Sequence, residues 1–238
     1  MKDIVLVPTY NERANIAQLV SEIFTTAPAM YVTVIDDNSP DGTAGIVREL
    51  MKNFPQLSLL ERKQKNGLGE AYKDAFTRLL PAPDIRSITT MDADGSHQPK
   101  YLLDFLKQID HYDLIVGSRY IKGGGVTGWE KWRLALSQGG NIYSRLLTGL
   151  PVYDLTAGFI CVRHSLIKRL DFSKISSAGY AYQIEFKYNC LAKLGASVLE
   201  IPIIFNQRRG GESKISNQII IEGLKTPAKI FFRRLWGK

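Results

Sequence analysis

Alternation of short apolar runs with amphipathic segments predicts an α/β fold whose central sheet is mostly parallel and flanked by helices. Three observations carry this reading. Apolar runs recur at 4–7, 31–35, 57–61, 85–91 and 113–117, and segments with apolar residues at helical spacing lie between them. Acidic or polar clusters stand directly behind three of the runs, where open parallel sheets bind their ligands.

Each element has a local reason. The run 4–7 reads as a buried strand broken by Pro8, and 12–24 follows as a helix with Ile16, Leu19, Val20 and Ile23 on one face. A strand at 31–35 ends in the turn-rich segment Asp36 to Gly42, after which a helix is predicted at 44–54 and a strand at 57–61. A helix at 69–80 leads to the strand 85–91, which runs into Asp92-Ala93-Asp94. Helix 99–108 and strand 113–117 precede Gly123-Gly124-Gly125 and a helix at 130–147. The second half reads as strand 155–162, helix 182–194 stopped by Gly195, and strand 197–205. No repeat or linker divides the chain, so residues 1–212 form one domain and 213–238 a basic amphipathic helical segment.

The 238 residues are 45% hydrophobic, enough for a packed core, which excludes disorder. Thirty-one Lys plus Arg against 23 Asp plus Glu give a net charge of +8 and point to an anionic partner. Nucleic acid is excluded, because the basic residues are not interleaved with stacking aromatics and acidic clusters occupy the expected cleft. Cys161 and Cys190 lie among apolar neighbours as buried structural thiols, consistent with a reducing cytosol. The apolar run at the N-terminus is too short for a signal peptide, and no stretch approaches the roughly 18 apolar residues of a membrane span.

Asp92 and Asp94, just past a strand, suit a hard divalent cation, with a substrate diphosphate supplying further oxygens; an acidic turn is the alternative. Asp36 and Asp37 follow a neighbouring strand and could accept hydrogen bonds from a ribose or base, or simply cap the next helix. Arg133, Ser137 and Asn141 recur every fourth residue, so a guanidinium, a hydroxyl and an amide share a helix face able to cradle a phosphate. Gly67-Leu68-Gly69 reads as a turn before a helix. His97 and His164 read as structural, and His111 as a surface residue.

Pro8-Thr9-Tyr10-Asn11-Glu12, Asp36 to Thr43, Gly67 to Tyr72, Met91 to Asp94, Gly117-Ser118-Arg119-Tyr120, Asp154 to Phe159 and Gly211-Glu212-Ser213-Lys214 occur in one order. Together they resemble dolichyl-phosphate (polyprenyl-phosphate) mannose synthases, inverting family-2 glycosyltransferases of GT-A (Rossmann-like) fold. The resemblance implies transfer of mannose from GDP-mannose to a polyprenyl phosphate, with Mg²⁺ or Mn²⁺ as cofactor. It places Pro8, Tyr10, Glu12 and Asp37 at the nucleotide, Ala93 at the substrate, and Asp92 and Asp94 at the metal and diphosphate. Ser96 stands where some members have a metal-ligating Gln. Arg119 and Arg133 match phosphate-binding arginines, and Arg208 and Lys214 match the segment near the diphosphate and acceptor phosphate. Ser137-Gln138-Gly139 departs from the Ser-Arg-Gly of many relatives, a lost charge that Arg145 or Arg209 is available to replace. Glu185 stands where relatives with hydroxyl acceptors keep a catalytic carboxylate; here it reads as a partner of a sugar hydroxyl or of an Arg or Lys. Gly123 to Gly125 and the segment around Arg208 are the loops expected to close over the donor. The alternatives are a polyprenyl-phosphate glycosyltransferase using UDP-glucose or UDP-N-acetylhexosamine, and a catalytically silent GT-A binding module.

A phosphate acceptor needs no general base, because its second pKa near ~6 leaves it largely dianionic at neutral pH. The lipid places the enzyme at the cytosolic face of a membrane as a peripheral protein, with or without a separate membrane subunit. From 213 to 238 six basic residues face one acidic. Leu224, Ala228, Phe231, Phe232 and Leu235 share a helical face, while Lys225, Lys229 and Arg233 line another. That pattern suits an interfacial helix as well as a helix packed on the core. Pro227 predicts two helices meeting near Thr226.

Overall fold

A computed structural model describes residues 1–177, 179, 181–210 and 217–236. Its strands are β1 (Lys2–Thr9), β2 (Tyr31–Asp36), β3 (Leu57–Glu61), β4 (Ile85–Thr90), β5 (Leu114–Ser118), β6 (Gly125–Val126), β7 (Ile160–Arg163), β8 (Val198–Pro202) and β9 (Ile204–Phe205). Seven form the central sheet in the order β3-β2-β1-β4-β7-β5-β8, and β6 pairs with β9 in a separate ribbon. Strand β7 runs antiparallel to β4 and β5, and all other pairings are parallel. The mostly parallel α/β sheet expected from the sequence is therefore present.

The helices are α1 (Ile16–Thr26), α2 (Thr43–Met51), α3 (Leu68–Leu79), α4 (Tyr101–Gln108), α5 (Lys131–Thr148), α6 (His164–Arg169), α7 (Ala181–Tyr188) and α8 (Asn217–Leu235). Both faces of the sheet are covered, so β1 is apolar from Ile4 to Val7: Leu6 packs with Tyr72, Phe76 and Phe186 on one side, Val5 and Val7 with Leu19, Ile23 and Phe105 on the other. Register brings the functional strand ends together. Thr9 pairs with Asp36 and Leu6 with Thr90, so Tyr10, Asp37 and Asp92 emerge from three adjacent strands along one edge.

Several elements differ from expectation for identifiable reasons. β1 continues through Pro8 because its ladder with β4 ends at Leu6, leaving no bond on that side for a proline to break. The expected strand at 155–162 is pared to β7, since Asp154 and Thr156 spend their polar groups on a side-chain network. The strand at 197–205 divides at Ile203, whose side chain enters the core while its N–H donates to the Ser118 carbonyl at 3.0 Å. Helix α7 passes into a π turn at Asn189–Lys193 before Gly195. α6 has only six residues, too few for periodicity to reveal. α8 is continuous through Pro227, contrary to the two helices predicted: Thr226, Pro227 and Ile230 are buried where α8 packs on α5 and α7, and this packing offsets the lost backbone bond. Gly123 to Gly125 is not a free lid, because Gly125 and Val126 pair with Ile204 and Phe205, and a side chain at Gly124 would strike the Ser118 carbonyl at 2.6 Å.

Candidate active site

A cavity of about 450 Å³ opens at the carboxyl edge of the sheet, between the loop after β4, the start of α5, the Asp154–Gly158 loop, α7 and α8. Asp92, Asp94, Ser96, Arg119, Arg133, Ser137 and Arg208 all line it. Residues spread over more than a hundred positions of sequence thus meet in one space.

The side chain of Asp92 is 32% exposed, whereas Asp94 is only 5% exposed. Asp94 Oδ1 accepts hydrogen bonds from the Ser96 backbone N–H at 3.0 Å and from Ser96 Oγ at 2.6 Å, and Oδ2 accepts from Arg208 Nε at 2.9 Å. Burial alone would raise this carboxyl; the Ser96 hydrogen bonds, reinforced by Arg208, hold it below the ordinary aspartate value. Ser96 gives its proton to Asp94, which makes it the support of that carboxylate. His97 Nδ1 accepts the Asp92 backbone N–H at 2.9 Å, so the ring is neutral with its proton on Nε2; burial lowers its pKa in agreement. The 3.8 Å approach to Asp92 Oδ2 is therefore no ion pair. Stacked on Phe159, His97 is structural as expected, and exposed His111 lies at the surface.

Arg119 is turned toward Asp154. Its Nε and Nη2 donate to the two carboxylate oxygens at 2.7 Å each, and Nη2 also reaches Thr156 Oγ1 at 2.8 Å. The pair is almost fully buried, with side-chain exposures of 9% and 0%. Glu200 secures the turn by accepting the backbone N–H groups of Tyr153 and Asp154. Asn141 belongs to the same network, since its Nδ2 donates to Thr156 Oγ1 and its Oδ1 accepts the Thr156 N–H. Asn141 is thus withdrawn from the phosphate-cradling face, which retains Arg133 and Ser137. Arg133 stacks on Trp129 at 4.1 Å, and its buried Nε has no hydrogen-bond partner among the described residues. Ser137 Oγ accepts from Tyr120 Oη at 2.7 Å.

The residues expected at the nucleotide lie along the neighbouring strand ends. Pro8 is the penultimate residue of β1, opposite Ile35, Tyr10 has Lys65 Nζ 3.8 Å from its ring centroid, and Asp37 is ion-paired with Arg62. Burial raises the Asp37 carboxyl despite that partner. Glu12, buried, accepts from Asn15 Nδ2 at 2.9 Å and lies 4.0 Å from Arg208 Nη1, linking this side to the cavity. Lys214 lies outside the described residues.

The expectation at Ala93 is corrected, and the one at Glu185 is met in part, since its partner is an arginine, Arg233, and not a group of the cavity. The Ala93 side chain points into the apolar core with Met91 and Phe159. Glu185 does not reach the cavity: Oε2 accepts the N–H groups of Ser176 and Ser177 at 2.9 Å each, and Oε1 lies 3.9 Å from Arg233. Residues two apart on a helix face opposite ways, and it is Gln183 that lines the cavity. Neither Arg145 nor Arg209 replaces the charge absent at Gln138. Arg145 stacks on Tyr153 about two turns further along α5, and Arg209 pairs with Glu22 at 2.9 Å. Sequence reasoning also missed Lys187, fully buried, which donates to the carbonyls of Leu155 at 3.1 Å and Ala157 at 2.7 Å and fastens the loop that holds Arg119. Burial pushes its pKa down to about 7. Cys161 and Cys190 are buried free thiols, pushed up to about 11 and about 12 by burial.

The donor set fits a hard divalent cation. Asp92 and Asp94 offer oxygen only, and a side chain at Gly158 would stand 3.8 Å from Asp92 Oδ1, so glycine there keeps the space open. No group of three or more His, Cys, Asp or Glu side chains gathers among the described residues. Such a site suits Mg²⁺ or Mn²⁺ sharing few protein carboxylates with substrate phosphates, rather than an all-protein cage.

Comparison with known proteins shows the family and the fold. Over 225 residues the chain is 39% identical to polyprenol monophosphomannose synthase of Mycolicibacterium smegmatis, covering 94% of this chain and 84% of the relative. It is 36% identical to undecaprenyl-phosphate mannosyltransferase of Micrococcus luteus, covering 94% and 91%. Among solved structures, glucosyl-3-phosphoglycerate synthase from Mycobacterium tuberculosis in complex with Mn²⁺ and UDP-glucose superposes with a TM-score of 0.68 at 17% identity, covering 98% of this chain and 78% of that one. This likeness shows the GT-A fold. Residues 4–171 match the family described as Glycosyl transferase family 2, and the chain belongs to that family of glycosyltransferases.

Proposed function

We propose that the enzyme transfers mannose from GDP-mannose to a polyprenyl phosphate, with inversion at the anomeric carbon. The observation that carries this reading is the cavity, where the Asp92 and Asp94 carboxylates and the Arg133 guanidinium line one space. The names of the two relatives support the mannosyl group and the lipid phosphate. Among the described residues, both carboxylates lining the cavity belong to the Asp92-Ala93-Asp94 motif and Glu185 is turned away, so none of the described carboxylates outside that motif is placed as a base for a hydroxyl acceptor. A phosphate dianion needs none. Arg133 and Ser137 hold it, Arg119 is fixed by Asp154 as part of the wall, and the acceptor oxygen attacks as GDP departs with the electrons of the anomeric bond. A divalent cation held by Asp92 and Asp94 with the donor diphosphate would supply charge neutralisation for the leaving group. Pro8, Tyr10, Glu12 and Asp37 take the nucleotide along the adjoining strand ends. Titration of the donor tests the reading: GDP-mannose with Mg²⁺ should raise the melting temperature and UDP-glucose should not, whereas the reverse order would assign the rival donor.

The same reading brings the lipid from a bilayer surface on the cytosolic side. No helix of the described residues is long and apolar enough to cross a membrane. Instead, α5 presents Trp132, Leu136, Ile142 and Leu146 outward on one face, Trp132 being 64% and Leu146 75% exposed. Beside it α8 exposes Leu224, Phe232, Leu235 and Trp236, with Lys225, Lys229 and Arg233 alongside. The helices are tied by Tyr143 Oη donating to the Leu224 carbonyl and Arg234 to the Leu147 carbonyl, each at 3.1 Å. The face of α8 packed on the protein, with Thr226 and Ile230, is a different one, which leaves Leu224, Phe232 and Leu235 exposed among the described residues. Leu136 and Leu224 also line the cavity, so the acceptor enters between the two helices. Apolar side chains with flanking cations suit an anionic bilayer surface. In flotation with anionic vesicles the wild type should rise with the lipid, and Trp132→Ser with Leu146→Ser should lower the bound fraction at least tenfold. Equal binding by the variant would remove this face from the reading.

A further inference from the structure

Helix α7 is buried along its whole length and, besides the hydroxyls of Tyr182 and Tyr188, carries an amide, a carboxylate and an amine, on Gln183, Glu185 and Lys187. Glu185 is satisfied by two backbone N–H groups and Lys187 by two carbonyls. Gln183, 1% exposed, has a hydrogen-bond partner for neither Nε2 nor Oε1 among the described residues. It is also the one of the three that lines the cavity. A buried amide orphaned at both ends costs stability unless something arrives to pair with it.

Its surroundings say what arrives. A side chain at Gly158 would stand 3.7 Å from Gln183 Nε2 and 3.8 Å from Asp92 Oδ1, so amide and carboxylate border one small space that glycine leaves empty. A phosphate, which only accepts, would satisfy the amide N–H and face the carbonyl oxygen with its own negative charge. Sugar hydroxyls both donate and accept, and a neighbouring pair satisfies both ends of an amide whichever way it is flipped. We infer that Gln183, with the space kept open by Gly158, is the subsite that reads hydroxyls of the transferred hexose beside Asp92. This deepens the proposed function and rests on it.

The experiment measures binding of GDP-mannose and of GDP to the full chain with Mg²⁺ by calorimetry, and takes the ratio of the two affinities as the contribution of the sugar. Gln183→Met, close in shape but without the amide, should leave GDP affinity unchanged and lower the ratio about tenfold. Gly158→Ala is the second variant: its methyl meets its neighbours only at ordinary contact distances, so the protein folds, yet it fills the space and should lower the ratio likewise. An unchanged ratio in both variants would overturn the subsite, and so would equal weakening of GDP and GDP-mannose, which marks a structural role. Wild type that binds UDP-glucose instead refutes the mannose donor alone, and the ratio of UDP-glucose to UDP then tests Gln183 by the same criteria.

Discussion

Asp92→Asn should slow sugar transfer about 10²–10³-fold while leaving the thermal midpoint close to wild type. The size of the effect follows from removing one charge placed to stabilise a leaving diphosphate. The small structural cost follows from the 32% exposure of this side chain, since substitutions at such positions usually stay within about 0.5 kcal/mol. Initial rates at saturating Mg²⁺, with a melting curve on the same preparation, check it; full turnover in Asp92→Asn would remove the motif from the chemistry. Asp94 is a poorer probe. It lies just past a strand like Asp92, but it is buried and holds Ser96 and Arg208, so its replacement costs stability as well as rate.

Asp154→Ala should destabilise the protein by about 3–5 kcal/mol, read from urea unfolding, because it leaves the Arg119 guanidinium buried without its counter-charge. Burial alone would raise the Asp154 carboxyl, and Arg119 overrides that, holding it below the ordinary value. Adding Arg119→Met to Asp154→Ala should recover part of the loss, since no lone charge then remains. Additive losses in the double variant would show that the two residues act independently.

Much of the sheet was legible because strand and helix periods differ and turn residues separate them, as at 31–35 and Asp36 to Gly42. The insertion of β7 antiparallel between β4 and β5 was not, since order of strands in space leaves no mark on the pattern of a four-residue run. The Asp92, Asp94, Arg133 and Ser137 positions were found by type and spacing, and the cavity joins them. That Gln183 and not Glu185 faces the cavity was not legible, because orientation around a helix buried on all sides cannot be read from hydrophobicity when every face is inward. Asn141 shared the face of Arg133 by periodicity, yet a loop residue fifteen positions away, Thr156, claims it. Lys187 carries no signal in the sequence; only the carbonyls of the Asp154–Gly158 loop show why it is inside.

The most direct measurement gives the enzyme radiolabelled GDP-mannose, a divalent cation, and either a short-chain prenyl phosphate or the prenyl alcohol of the same length. Label should pass into the organic phase with the phosphate and not with the alcohol, and Arg133→Met should slow it, because the cavity pairs an anion with a guanidinium and, among the described residues, offers a hydroxyl no carboxylate beyond Asp92 and Asp94. Transfer to the alcohol at a comparable rate, or transfer to the phosphate that is indifferent to both the cation and Arg133, would contradict it.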